Sequence, residues 1–148
     1  MQFTRKFTAL VFVVTAATIS QVMASPTTLA SLVTVDEFYD WLNTTDAKIT
    51  FIGKPIDPNA PPSPDNVIVT YCSDRTQNVC GGPCTVYNGG AACLYAPDTN
   101  CLSATANVGF CDHTDCGGSC NQLASCGTRL DNGFCYTPGT NSIIVPPS

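Results

Sequence analysis

Ten cysteines, all between Cys72 and Cys135, constrain this 148-residue chain more than any other feature. They are Cys72, Cys80, Cys84, Cys93, Cys101, Cys111, Cys116, Cys120, Cys126 and Cys135. An even set of this density reads as a disulfide framework if the chain matures in an oxidising compartment. Two of its pieces are near copies: Cys80-Gly81-Gly82-Pro83-Cys84 and Cys116-Gly117-Gly118-Ser119-Cys120. The Cys-x3-Cys spacing also lies within zinc-ligand range, but ten thiols under oxidising conditions pair with each other, so no metal and no cofactor is expected. A redox dithiol favours Cys-x-x-Cys, which neither twin provides.

The N-terminus supplies the compartment. Arg5 and Lys6 form a basic region, Thr8 to Ile19 an apolar one, and Val22-Met23-Ala24 a small-residue cleavage pattern. Residues 1–24 are therefore predicted to be a signal peptide and 25–148 a single disulfide-stabilised domain. The apolar run is well short of the roughly 20 residues a spanning helix needs, so no membrane insertion is expected after cleavage. Loss of Arg5 and Lys6 leaves four basic residues against eleven acidic ones, a net charge of −7. That charge repels phosphate backbones and anionic lipid, so nucleic acid is not an expected partner.

Residues 34–71 read as a helix–strand–strand scaffold. Thr34 followed by Glu37 is a capping-box pattern, and Val35, Phe38, Trp41 and Leu42 recur at helical spacing. Trp41 is expected in the core. The helix should end at Thr44-Thr45-Asp46. Ile49–Ile52 and Val67–Tyr71 read as strands, separated by a proline-rich loop from Pro55 to Asp65. Asn43-Thr44-Thr45 is an N-glycosylation sequon, which makes Asn43 a candidate glycan site.

Beyond Cys72 turn formers dominate, including Ala96-Pro97-Asp98 and Thr137-Pro138-Gly139. Short strands are expected near Thr85-Val86-Tyr87, Gly133–Tyr136 and Ser142–Val145, the last placed to pair with an early strand. The two glycines of each twin are expected to let the chain turn between half-cystines. The predicted fold is thus a small disulfide-rich α+β one: mostly β and loops, with one short N-terminal helix, short antiparallel strands and a duplicated cysteine framework.

The duplication extends past the twins. Tyr71-Cys72-Ser73-Asp74 matches Phe110-Cys111-Asp112-His113, and Gly90–Asn100 resembles Asn132–Asn141, giving internal repeats over 71–100 and 110–141. Cys72, Cys80, Cys84 and Cys93 then correspond to Cys111, Cys116, Cys120 and Cys135. If each copy pairs its own four, parity predicts a Cys101–Cys126 bridge between copies.

Little in the chain points to catalysis. His113 is the only histidine and Glu37 the only glutamate, and the latter sits in a helix cap. Ser119, His113 and Asp112 or Asp115 could be drawn as a triad, or Asp112, His113 and Asp115 as metal ligands. No nucleophile-elbow or phosphate-loop pattern supports such a site, so a polar loop is the expectation and no catalytic residue is assigned. The repeated aromatics Tyr95 and Tyr136 are the candidate ligand contacts, since exposed rings anchor sugars and protein partners.

The apolar leader, the Cys-Gly-Gly-x-Cys twins and the ending Asn132-Gly133-Phe134-Cys135-Tyr136-Thr137-Pro138-Gly139-Thr140 resemble the small secreted cysteine-rich proteins of mushroom-forming fungi. The resemblance covers about Thr70 to Pro146. It implies an extracellular, effector-like or developmental role. The expectation is a non-enzymatic secreted protein that binds an extracellular protein or glycan. The alternatives are an inhibitor of secreted hydrolases, presenting Val86–Ala92 or Ala96–Asn100, and a carbohydrate-binding or cell-wall-binding module.

Overall fold

The computed structural model describes residues 32–60 and 62–148. The predicted leader at 1–24, its cleavage site and Pro61 lie outside them. Among the described residues the fold is mostly β, with one α-helix, two short 3-10 turns and five disulfides, and all ten cysteines are bonded.

Helix α1 spans Val35–Thr44. Its start follows from the capping box: the Glu37 N–H donates to Thr34 Oγ1 at 3.2 Å, and the Thr34 N–H donates to Glu37 Oε2 at 2.7 Å. Phe38 and Trp41 are buried, and Trp41 meets Phe134 with ring centroids 5.3 Å apart. The helix stops at Thr45, which is extended and donates its N–H to Trp41 O.

Seven strands follow: β1 Lys48–Gly53, β2 Val67–Thr76, β3 Val79–Gly89, β4 Ala92–Ala104, β5 Gly109–Cys111, β6 Cys120–Gln122 and β7 Cys135–Val145. They form one sheet in the order β1-β3-β2-β4-β7-β5-β6. All neighbours are antiparallel except β1 and β3, which run parallel. The proline-rich connection from β1 to β2 is clasped at its ends by Lys54 Nζ donating to Asn66 Oδ1 at 2.9 Å. Tyr39 Oη on α1 donates to Asp57 O within it.

Several expectations change here. Ala96-Pro97-Asp98 and Thr137-Pro138-Gly139 do not reverse the chain. Each is a bulge inside a continuous strand, where the β4–β7 register shifts. Proline is tolerated there because a bulged residue donates nothing to the ladder. Hence β4 and β7 are 13 and 11 residues long, not short. Ser142–Val145 pairs with β4 and β5, not with an early strand. In the first twin, the chain reverses at Gln77–Asn78, and Gly82 sits in β3 beside a register shift. Gly82 and Gly118 have φ of +76° and +75°. A side chain at Gly82 would collide with Asp74, and one at Gly118 with Asp112 and His113. Glycine is required at these two points for conformation and for space.

The two halves of the sheet carry matching registers. Cys72 pairs with Cys84 on one side and Cys101 on the other; Cys111 pairs with Cys120 and Ser142. Where the halves meet, Tyr95 faces Ser142, Thr99 faces Thr140 and Cys101 faces Tyr136. This pattern equates Tyr95-Ala96-Pro97-Asp98-Thr99-Asn100-Cys101 with Tyr136-Thr137-Pro138-Gly139-Thr140-Asn141-Ser142, and the sheet exchanges them across the Thr99–Thr140 pair. Asp98 and Gly139 both have positive φ. Asn100 donates its amide to Ser73 O, and Asn141 donates to Asp112 O. The match puts Leu94, not Cys93, opposite Cys135 in the alignment, a one-residue correction that the bulges enforce.

The disulfides obey this geometry and overturn the parity argument. Cys72–Cys84 and Cys111–Cys120 are equivalent, each joining facing residues with Cα atoms 4.1 Å apart. Cys80 bonds Cys101, so Cys101 does not reach Cys126. The position equivalent to Cys101 is Ser142. Cys116, the counterpart of Cys80, therefore bonds Cys93 on β4 instead, across the halves. Cys126 closes a local loop to Cys135. Counting cysteines could not anticipate this, because the partner of each twin lies on a strand chosen by sheet order.

Residues from both faces form the core. Val69, Tyr71, Leu94, Leu102, Leu123 and Ile143 belong to one cluster. On the other face α1 lays Phe38 and Trp41 over Ile68, Val86, Cys72, Cys84 and Cys101, with Leu130 and Phe134 completing the cover.

Candidate binding face

The face roofed by α1 in the first half of the sheet has an equivalent in the second half. Facing residues on antiparallel strands point to one side, so Tyr95 and Ser142, and Tyr136 and Cys101, share the side on which Cys101 packs under the helix. Among the described residues no helix covers the second half, since α1 is the only α-helix. The inner part of this side is covered instead by the 112–119 hairpin, which buries Cys111 and Ser142, and its outer strand is open. Val86 is fully buried under α1, while its counterpart by register, Gln122, is exposed. Cys84 is buried, while Cys120 is exposed. Asn107 Nδ2 donates to Gln122 Oε1 at 3.1 Å, forming an amide pair on this surface.

The two candidate tyrosines part company here. Tyr136 is half-buried beside the helix-covered cluster, and the Arg75 guanidinium lies 4.1 Å above its ring centroid. Arg75 is held in place by donating from Nε to Gln77 O at 2.7 Å. Such a cation over a ring is favourable by about 0.5–1 kcal/mol near solvent. Tyr95 is 68% exposed. The hairpin that could roof it is shorter, and between Cys111 and Cys116 it holds no Lys or Arg. The structure does not bring the two rings together: they stand at opposite ends of the β4–β7 ladder, up to roughly 20 Å apart at a strand rise of about 3.3 Å per residue. Arg75 was not singled out by sequence reasoning. Its only signal was being one of four basic residues beyond the leader.

At the tip of the second hairpin, Asp112 Oδ1 lies 2.6 Å from His113 Nδ1 and accepts the Ser119 N–H at 2.8 Å. The His113 hydrogen bond, then the Ser119 N–H, hold the Asp112 carboxyl below its ordinary range. Ser119 thus meets Asp112 through its backbone, which is not the arrangement of a nucleophile aimed at an imidazole. A small hollow of about 100 Å³ adjoins, lined by Phe110, Asp112, Ser119, Asn121 and Pro138. Among the described residues no group of three or more His, Cys, Asp or Glu side chains is placed to hold a metal ion. Asn43 is exposed at the end of α1, far along the sheet order from Tyr95, and Trp41 is in the core.

Comparison with protein-family models, with curated proteins and with solved structures finds no match. No helix among the described residues is long and apolar enough to cross a membrane. Five disulfides in a chain of this size indicate a stable protein of an oxidising, extracellular setting.

Proposed function

We propose that this is a secreted, non-enzymatic binding protein whose contact surface is built around the exposed Tyr95, where the two halves of the sheet meet. The observation that carries the reading is the contrast between equivalent rings: Tyr136 is stacked under Arg75, while Tyr95 stands 68% exposed. A bare ring on a disulfide-braced strand is a rigid anchor that costs little side-chain entropy on binding. The resemblance to small secreted proteins of mushroom-forming fungi makes a cell-wall glycan or an extracellular protein the class of partner. The glycan alternative gains from the Asn107–Gln122 amide pair on outer strand β6, since side-chain amides suit hydroxyl-rich ligands. The inhibitor alternative gains less. Val86 and Asn88 are buried, and Ala96 and Thr99 are buried in β4, so neither segment protrudes as a long loop.

The test is affinity capture with the oxidised mature protein, from secreted-protein and cell-wall extracts. Wild type should retain a partner, Tyr95→Ala should lose it and Tyr136→Ala should keep it. Equal capture by wild type and Tyr95→Ala would remove this surface from consideration.

A further inference from the structure

The other end of the sheet presents a different problem. β1 pairs only with β3, so its outer edge is open among the described residues. Between Lys48 and Lys54 it carries no charge, and Phe51 and Ile52 are 55% and 39% exposed. Lys48 charges only the start of this strand, and an aromatic, β-branched edge beyond it is a template for pairing with other chains that folded proteins normally block. No bulge or proline interrupts this strand. Beside it runs an apolar groove of about 190 Å³ lined by Tyr39, Leu42, Phe51, Ile56 and Pro58. Asn43 also lines this groove and is exposed at the end of α1. Asn43-Thr44-Thr45 is the sequon.

We propose that Asn43 carries an N-linked glycan whose stem lies over the groove at Phe51 and closes the open edge of β1. The inference rests on the chain entering a secretory pathway, as in the proposed function. The donor is an oligosaccharide on a polyprenyl diphosphate. A bond forms between Asn43 Nδ2 and the anomeric carbon of the first sugar, the anomeric C–O bond to diphosphate breaks, and the amide proton leaves with the diphosphate. No oxidant or reductant is needed. The placement follows from attachment: a sugar on a groove-lining side chain has its ring faces against apolar wall and its hydroxyls toward water. The bulk of the remaining glycan then stands where a second strand would have to dock.

The experiment expresses the full chain in a eukaryotic secretory host and collects medium and cells. Intact mass is measured before and after peptide N-glycosidase. The expected result is glycosylated protein in the medium, with the added mass lost on digestion and absent in Asn43→Gln. Thr45→Ser, which keeps both the sequon and the hydroxyl that accepts the Ala47 N–H, should retain it. Removing the glycan should raise binding of a hydrophobic dye several-fold and promote self-association, and Phe51→Ser should abolish the dye increase. Secreted protein without added mass overturns this inference alone. Unmodified protein confined to the cytosol overturns the secretory reading, and this inference with it. Glycosylated protein whose dye binding and association are unchanged by deglycosylation overturns the seating over β1.

Discussion

If Ser142 is the structural counterpart of Cys101, the missing bridge can be rebuilt. Cys116 corresponds to Cys80, and its N–H already donates to Ser142 Oγ at 3.0 Å. Cys101 Sγ lies 3.4 Å from Asp74 O, as Ser142 Oγ donates to the matching His113 O. The perturbation is Cys93→Ser alone, and then Cys93→Ser with Ser142→Cys. The native Cys93–Cys116 bridge spans 23 residues. Loop-closure entropy for such a length is about 3.4 kcal/mol, so the single variant should lose about that much. The rebuilt bridge would span 26 residues, and the same relation returns about 3.5 kcal/mol. From this must be subtracted the two hydrogen bonds of the buried Ser142 hydroxyl, at about 1–3 kcal/mol together. The double variant should therefore recover roughly 0.5–2.5 kcal/mol of the loss. Urea unfolding of the oxidised proteins gives the energies, and peptide mapping without reduction gives the connectivity. A double variant in which residues 116 and 142 stay unbonded, with no recovered stability, would refute the equivalence of the two halves.

Other consequences are simpler to read. Gly82→Ala and Gly118→Ala should each cost about 1–3 kcal/mol in denaturant unfolding, because both need positive φ and both face an occupied side-chain position. Trp41→Ala should cost about 3–5 kcal/mol by the same assay, since it opens the seam between α1 and Phe134. Tyr71 is buried, which raises its phenol above the ordinary value near 10, against a smaller lowering by a hydrogen bond from Thr85. The unfolded chain then loses this proton first. Stability is complete below about pH 10 and falls as pH rises towards the folded phenol's higher pKa, and Tyr71→Phe should flatten that decline in urea midpoints.

What the sequence discloses is what neighbours in the chain decide. The capping box at Thr34 and Glu37 and the spacing of Phe38 and Trp41 fix α1, because both act within two turns. Ile49–Ile52 and Val67–Tyr71 announce strands through β-branched content. Pro97 and Pro138 mislead, since the same residue serves a turn and a bulge, and only the β4–β7 register distinguishes them. The Cys93–Cys116 pairing is hidden for a related reason: it depends on β7 lying between β4 and β5. Tyr95 and Tyr136 begin the same Tyr-x-Pro-x-Thr-Asn run, so nothing local separates the exposed ring from the stacked one. Arg75 and α1 separate them, and both belong to the first half of the sheet.

The unequal treatment of two similar halves accounts for that cross-strand bridge. In the first half, Trp41 and Phe38 bury the hairpin disulfide and Val86, and a ring such as Trp41 contributes about 3–5 kcal/mol when fully packed. The second half has no such cover among the described residues, and with Gln122 in place of Val86 a cover would return less, because desolvating a side-chain amide carries a cost that burying an apolar group does not. Its hairpin must be fixed to the sheet by other means. Cys93–Cys116 does this from β4, at about 3.4 kcal/mol by loop closure, which matches the scale of the missing ring. A covalent tie also leaves the surface free, whereas a helix would occupy it. The exchange of Cys101 for Ser142 and of Val86 for Gln122 thus belongs to one change: burial under a helix gives way to a disulfide, and Tyr95 stays exposed to solvent.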